Sequence, residues 1–588
     1  MQELVDYAKS QFFDWATHFR AFVQDNPGKL TIRIFAGDAL FLCRAFVDHT
    51  GTGKIPTSLT VAPWNPTPLV LDGGDYGPNG GAPTTFNIIE TSNLMDHTGL
   101  LNVIVAALPL LSLDPSATLF TEALLPSGKD ATKSFTTQLC AEVATISLLL
   151  DLSPINYFSN FNNRSNAEEI LSARARISDF VQYHERITWK RPMTGDRITS
   201  QPHPVHIRIS FEPQNLGNLL FDIYLKMFAS DDTMSLLANP LRDSETVHYI
   251  RETFAVFLAI VKRRVNVDWD AAMASFFDKL DNDRSLMMGM SNYQDLCTHL
   301  YLTGVYATEF TRSAPPTPEG RFRKWAHVPP TVSVILVVPR DKLRVLSDMD
   351  PDRAGTPVLH GNLHGPTTHN IFASLKVGYG RIKPSGTDVH PEVIFEPDPS
   401  SRFGTSPLIV SFSVPSNALH IEPPDFMRVT LSLRSTPKTA MLFLSKLGMF
   451  LAIFSAPLMD RSQVFVVPEE PQGFDSSLDK IFATDNRQEN KVSATTDPQC
   501  HRVTTLTIRV DITDTLIKND LSSGAEVSSR QTSPHVMEVR IGQTGRSLIF
   551  PLPVIGSRSR LRIARKSFYV EVFHSFSCLV GSSLQSTG

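Results

Sequence analysis

The feature that most constrains the fold is the run from residue 86 to residue 124, FNIIETSNLMDHTGLLNVIVAALPLLSLDPSATLFTEAL. It opens as a short apolar strand, FNIIE, and changes abruptly to polar residues. DHTGLLNVIVAALPLL then reads as a helix with Asp96 at its N-cap, and ATLFTEAL as a second strand. Two apolar strands joined by a helix make one crossover of a parallel sheet, since parallel neighbours cannot be linked by a tight hairpin. Upstream, LTIRIF (30–35) reads as a strand, Ala36-Gly37-Asp38 as its turn and ALFLCRAFV as the helix that follows. SLTVAP (58–63) and PLVLD (68–72) add further strands.

Residues 1–128 are therefore expected to form a Rossmann-like α/β domain with a mostly parallel sheet, preceded by a helix on which Leu4, Tyr7, Phe12, Trp15, Phe19 and Phe22 recur at helical spacing. Residues 129–312 read as mainly helical. SAPPTPEGR (313–321) is a loop, and TVSVILVVP, NIFASLKV, PEVIFEP, PLIVSFSV and MRVTLSL make 326–467 a β-rich α+β region. Residues 468–501 combine proline, serine and charge with few large apolar side chains, which predicts a flexible linker before a last β-rich region at 502–580.

The whole is an α/β and β multidomain chain. Its 588 residues carry 55 basic and 59 acidic side chains, so no global field draws it to nucleic acid or an acidic membrane. Five dispersed cysteines suit neither a disulfide framework nor a zinc knuckle. With Glu3 and Asp6 where a signal peptide needs positive charge, the expected compartment is the cytoplasm. AMLFLSKLGMFLAIFSAPLM (440–459) approaches the length of a membrane span but holds Lys446 and Pro457, and reads better as a buried helix.

Ligands of open α/β sheets bind beyond the carboxyl ends of the strands. The polar groups expected there are Gly37 and Asp38, Asp72, and Glu90, Ser92, Asn93, Asp96 and His97. This layout resembles the later part of a class I S-adenosylmethionine methyltransferase, which implies a cofactor edge at those residues. The glycine-rich turn that lets such an enzyme's backbone approach its cofactor is reduced here to the single glycine of AGDA. Ser92, Asn93 and Asp96 equally suit the plainer task of capping a helix and closing a loop.

Two other clusters of titratable side chains stand out in the sequence. His360, His364 and His369 in VLHGNLHGPTTH sit among glycines and a proline and read as solvent-exposed loop histidines. Arg558, Arg560 and Arg562 recur at period two and would share one strand face. They could bind an anion or nucleic acid, or could simply discourage edge pairing.

The segments GDALFLCRAF, FNIIETSNLMDHTGLLNVIVAALPLL, YIRETFAVFLAIVKRRVNVDW, GRFRKWAHVPPTVSVILVVPRDKL, SPLIVSFSVPS and LRIARKSFYVEV carry a wider resemblance. The chain is similar to a fungal family containing the domain of unknown function 4470, whose members often carry a MYND zinc finger and whose relatives include dynein axonemal assembly factors. The finger's closely spaced Cys and His ligands are absent, so no structural zinc carries over. The resemblance implies a methyltransferase-like domain and a role in assembling other proteins. The expectation is an interaction platform with no cofactor and other proteins as partners. An active S-adenosylmethionine-dependent methyltransferase is the first alternative, and an anion- or nucleic-acid-binding module the second.

Overall fold

The computed structural model describes residues 2–52, 64, 69, 71–77, 80–124, 131–159, 164–165, 184–194, 203–204, 207–231, 249–285, 291–312, 319–350, 357–471 and 491–576. The chain divides into two compact units, Met1–Asp38 and Ala39–Gly588. In the first, helix α1 (Gln2–Asp25) follows the expected apolar spacing and ends before Gly28, which takes a left-handed φ of 79°. None of its residues is buried. Trp15 and Phe19, one turn apart, stack at 5.4 Å.

LTIRIF (30–35) is not a strand. Branched residues favour extended backbone, but a strand needs a partner for its N–H and C=O groups. These residues have no ladder, and Ile34 is 91% exposed. The half βαβ unit expected there is absent.

The second unit begins with helix α2 (Ala39–Thr52). The strand expected at 58–63 lies outside the described residues. Of 68–72, the described residues Leu69, Leu71 and Asp72 are not in a strand. The crossover at 86–124 forms: strand β1 (Ile88–Glu90), helices α3 (Leu94–Thr98) and α4 (Leu100–Ala107), then strand β2 (Thr118–Ala123), parallel to β1. The helix is broken where Gly99 takes φ 92°, and it starts at Leu94, so Asp96 lies inside it and is not its N-cap.

β2 pairs antiparallel with strand β3 (His184–Lys190), and β3 with two-residue strands at Ser153–Pro154 and Arg164–Ser165. This five-stranded sheet thus holds a single parallel pair, and the expected mostly parallel sheet is corrected to a mixed one. Only the crossover between β1 and β2 forces parallel pairing.

Helices α5 (Pro213–Met227), α6 (Arg251–Arg264), α7 (Trp269–Asn282) and α8 (Tyr293–Leu302) follow. Glu212 and Asp268 mark the starts of α5 and α7 by accepting from the Asn215 and Ala271 N–H groups, and Pro213 opens α5 where an N–H would have no helical partner. α5 crosses α7 so closely at Gly217 that a methyl group there would run into the Ala272 carbonyl and Ser275.

A second core is built mainly from strands, with Phe443 and a few other helical residues packed into it. Its strands are β4 (Thr331–Val338), β5 (Leu359–His364), β6 (His369–Phe372), β7 (Lys376–Pro384), β8 (Val393–Pro397), β9 (Leu408–Pro415), β10 (Arg428–Leu433), β11 (Ala452–Pro457) and β12 (Val464–Val467). They make two antiparallel sheets, ordered β8-β7-β9-β4-β12 and β6-β5-β10-β11. Alternate residues of both sheets interleave in one apolar interior, where Phe372 stacks on Phe412 at 5.2 Å.

The apolar run 440–459 is not one buried helix. Helix α9 (Pro437–Leu447) starts at a Thr436–Thr439 capping box, Gly448 turns the chain at φ 73°, and the remainder enters β11. Met441, Leu444, Met449 and Phe450 are left exposed.

Lys491–Thr496, inside the stretch read as a linker, is strand β13. It pairs with β14 (Val503–Asp511) and, in parallel, with Ile209–Ser210, which itself pairs with Val265–Asn266. Strands β15 (Ser559–Ala564) and β16 (Tyr569–Ser575) complete this six-stranded sheet. The first core therefore runs from Met95 to Val305 and resumes at Val492, with the β-sandwich inserted between its two halves.

Candidate functional site

The carboxyl ends of β1 and β2 place Glu90, Ser92, Asn93, Asp96 and His97 close together in the chain, and most of them are engaged by the fold. Glu90 forms an ion pair with Arg186 of β3. Ser92, at φ 47°, offers its carbonyl to the Glu122 N–H at 3.0 Å. Asp96 Oδ2 accepts from the Leu124 N–H at 2.7 Å and so ties α3 to the chain leaving β2. Asn93 stands at the N-cap of α3 without a capping bond, and its Nδ2 lies 3.3 Å from His97 Nε2.

Asp72 caps the four-residue helix Gly73–Tyr76 through the Gly74 N–H at 2.8 Å. Gly37 and Asp38 are exposed residues of the first compact unit, and Gly37 carries the Phe35 ring over the side where a Cβ would stand.

The three histidines are not loop residues. β5 and β6 form a hairpin in which His364 faces His369 with rings stacked at 4.2 Å, and Phe450 packs edge-on against both. His360 is buried between the cores, and burial, assisted by Arg434, pushes its imidazole down to about 4. Burial and the neighbouring His369 likewise hold His364 at about 4.

Of the arginines, Arg558 lies in a 3-10 turn, while Arg560 and Arg562 lie on the edge strand β15. Arg562 sits 3.5 Å from Glu571 of β16, and Arg565 donates to the Leu521 and Ala525 carbonyls. Charge thus alternates across the strands, which blunts the edge and dilutes any anion-binding stripe.

A hollow lies elsewhere, where helices of the first core meet the sheet β8-β7-β9-β4-β12. It holds about 390 Å3. Strand alternation explains its floor. Val332, Val334, Val410, Phe412 and Val414 point into the sandwich, so Ser333, Ser411 and Ser413 point out of it, toward the helices. Ser333 and Ser411 hydroxyls bond at 2.8 Å.

α2 contributes Phe41, Arg44 and Asp48 from one face, at helical spacing. Arg44 pairs with Glu252 in the first turn of α6 and approaches Asp48 at 4.0 Å. Opposite, Lys376 at the start of β7 pairs with Glu470. Burial lowers the Lys376 pKa, Glu470 opposes the shift, and Arg44 adds to it.

Beside the cavity the cores are joined by buried charge. Asp231 accepts from Arg251 at 2.6 Å and lies 3.8 Å from Arg434 of the sandwich. Arg251, 2% exposed, also donates to Tyr224 Oη and stacks on Phe228 at 3.8 Å. Asp295 of α8 accepts from the Ala373 N–H at 3.2 Å and pairs with His299.

Fold and site define a multidomain α/β protein with a β-rich C-terminal half. No protein-family model, curated protein or solved structure matches the chain. Among the described residues, no helix is long and apolar enough to cross a membrane, and no group of three or more His, Cys, Asp or Glu is placed to hold a metal ion. Cys140 and Cys297 are buried thiols pushed up to about 12 by desolvation, unsuited to nucleophilic work.

The residues of the cavity were missed in the sequence because they come from both ends of the chain. One local signal was present: Ser411 and Ser413 alternate with apolar residues in VSFSV, which marks a strand face that is buried and polar.

Proposed function

We propose that this chain is a cytoplasmic interaction or assembly platform in which a methyltransferase-like segment keeps one parallel crossover and has lost cofactor chemistry. The same reading takes it as a relative of the fungal family with the domain of unknown function 4470. The observation that carries it is the amount of large apolar side chain left in water. α1 exposes Leu4, Tyr7, Phe12, Phe13, Trp15 and Phe22, and α9 with the turn after it exposes Met441, Met449 and Phe450. Contiguous aromatic and methionine surfaces of this kind serve protein contacts, and flexible methionine adapts to more than one partner. The engagement of Glu90 and Asp96 within the fold supports the loss of a cofactor edge.

Proximity labelling in the native cytosol, comparing the full chain with Trp15→Asp/Phe19→Asp and with Met441→Lys/Phe450→Lys, tests this. Each pair is expected to lose a distinct set of labelled proteins while leaving the unfolding midpoint of the chain unchanged. Identical labelling by all three proteins would sink the reading.

The methyltransferase alternative rests on the β1–β2 crossover alone. Its signature is saturable S-adenosylmethionine binding that depends on Asn93.

A further inference from the structure

The platform reading, on which this assignment rests, gives the exposed rings of α1 to protein contact, and the helix itself specifies the partner. Val5, Ala8, Phe12, Trp15, Phe19 and Phe22 recur at alternating steps of three and four residues, the a and d positions of a heptad, so they share one stripe. The rings touch along it: Phe12 and Trp15 lie 6.4 Å apart, and Trp15 stacks on Phe19 at 5.4 Å. Glu3, Asp6, Ser10, Thr17 and Gln24 take the opposite face.

Size runs one way along the stripe. Its N-terminal end is small, Val5 and Ala8, and its C-terminal end large, Phe19 and Phe22. Two copies laid antiparallel set Val5 against Phe22, Ala8 against Phe19 and Phe12 against Trp15, so no layer puts small against small. The contact repeats under a two-fold axis, each residue meeting the one that meets it, as an isologous interface requires. A parallel pair would face Ala8 with Ala8 and Phe19 with Phe19, leaving a void at one end and crowding at the other.

Charge favours the same arrangement. In the antiparallel register Glu3 is level with Gln24, Asp6 with Ala21, Asp14 with Phe13 and Asp25 with Gln2, whereas parallel copies would bring each acid level with itself. The opposed helix dipoles add to this.

The area is sufficient. Phe12, Trp15, Phe19 and Phe22 expose between 39% and 63% of their surface. At about 200 Å2 per aromatic side chain, these rings offer about 800 Å2 from two copies, and Leu4 and Val5 bring the total near the ~1,000 Å2 that a specific interface needs. A lipid surface fits less well, since helices that lie on membranes carry Lys and Arg on the polar face, and α1 sets Glu3, Asp6, Asp14 and Asp25 against Lys9 and Arg20.

We infer that α1 is a self-association element, through which two copies of this chain pair as antiparallel helices. The pair doubles the platform, because each copy brings its own Met441, Met449 and Phe450 surface.

Sedimentation of the full chain over a rising concentration series reads the pairing. A dimer is expected by about 50 µM, and Trp15→Asp should weaken it by about a hundredfold without moving the unfolding midpoint. Ala8→Phe and Phe19→Ala should each weaken it by about tenfold or more, and together restore it to within about threefold, because the layer then only exchanges its small and large members. In any other pairing the two losses would add. A wild-type chain that stays monomeric, a dimer untouched by Trp15→Asp, or a double variant as weak as the two losses added would each overturn the inference. A monomer that floats with phosphatidylcholine–phosphatidylserine vesicles would overturn it too and give the face to lipid. A monomer that still loses labelled proteins in Trp15→Asp/Phe19→Asp removes the pairing and keeps the platform, and a dimer with identical labelling does the reverse.

Discussion

The Glu90–His97 edge and the cavity between the two cores both gather polar side chains, but they spend them differently. At the edge, each group has a partner nearby in the fold: Glu90 meets Arg186, Asp96 Oδ2 the Leu124 N–H, and Asn93 His97. In the cavity wall, the pairs Arg44–Glu252 and Lys376–Glu470 stand around a hollow lined by the buried Ser374, whose hydroxyl has no partner among the described residues. Polar groups that complete the fold leave little for chemistry. Polar groups arranged around empty space do the reverse.

The comparison can be broken most forcefully at the charged joint beside the cavity. Asp231→Ala removes the carboxylate that meets buried Arg251 and should cost about 3–5 kcal/mol, because an unpaired guanidinium is left inside. Urea unfolding measures this. A loss below about 1 kcal/mol would mean that the joint is not organised by this pair.

Next in size is the response to acid. His360 is held near 4, below the ordinary 6.5, so the folded state favours its neutral form. The unfolded chain then binds the proton first. Stability from this residue is full above about pH 6.5 and is lost as pH falls from 6.5 toward 4, by about 3 kcal/mol in all. Denaturant midpoints at pH 7.5 and pH 5 should differ in this sense, and His360→Gln should flatten the difference. An unchanged slope in that variant would remove His360 from the account.

The smallest effects belong to the edge itself. Asp96→Ala should cost about 1–2 kcal/mol through the stranded Leu124 N–H, while Asn93→Ala should stay within about 0.5 kcal/mol. Equal losses would mean that the edge is held differently from the way its hydrogen bonds indicate.

Legibility followed sequence distance. The crossover from Ile88 to Ala123 was readable because strand, helix and strand follow one another and their apolar spacing is local. LTIRIF was misread, since its branched residues signal extended backbone and cannot signal whether a partner strand exists. The histidine hairpin reads as a loop in the sequence because Gly361, Gly365 and Pro366 are breakers; of these, Gly361 lies within β5. In the sandwich that glycine instead makes room for the Phe412 ring.

The cavity was invisible because Arg44 meets Glu252 across 208 residues and Lys376 meets Glu470 across 94, distances over which no local pattern operates. The inserted sandwich was hidden for the same reason, since β13 rejoins Ile209–Ser210 only after the whole second core has been built.

The central claim is that the edge at Glu90–His97 completes the fold and holds no cofactor. Calorimetric titration of the full chain with S-adenosylmethionine tests it most directly, with Asn93→Ala as the control that locates any binding. The account predicts no saturable heat in either protein. Micromolar binding to the wild-type chain that disappears in Asn93→Ala would contradict it.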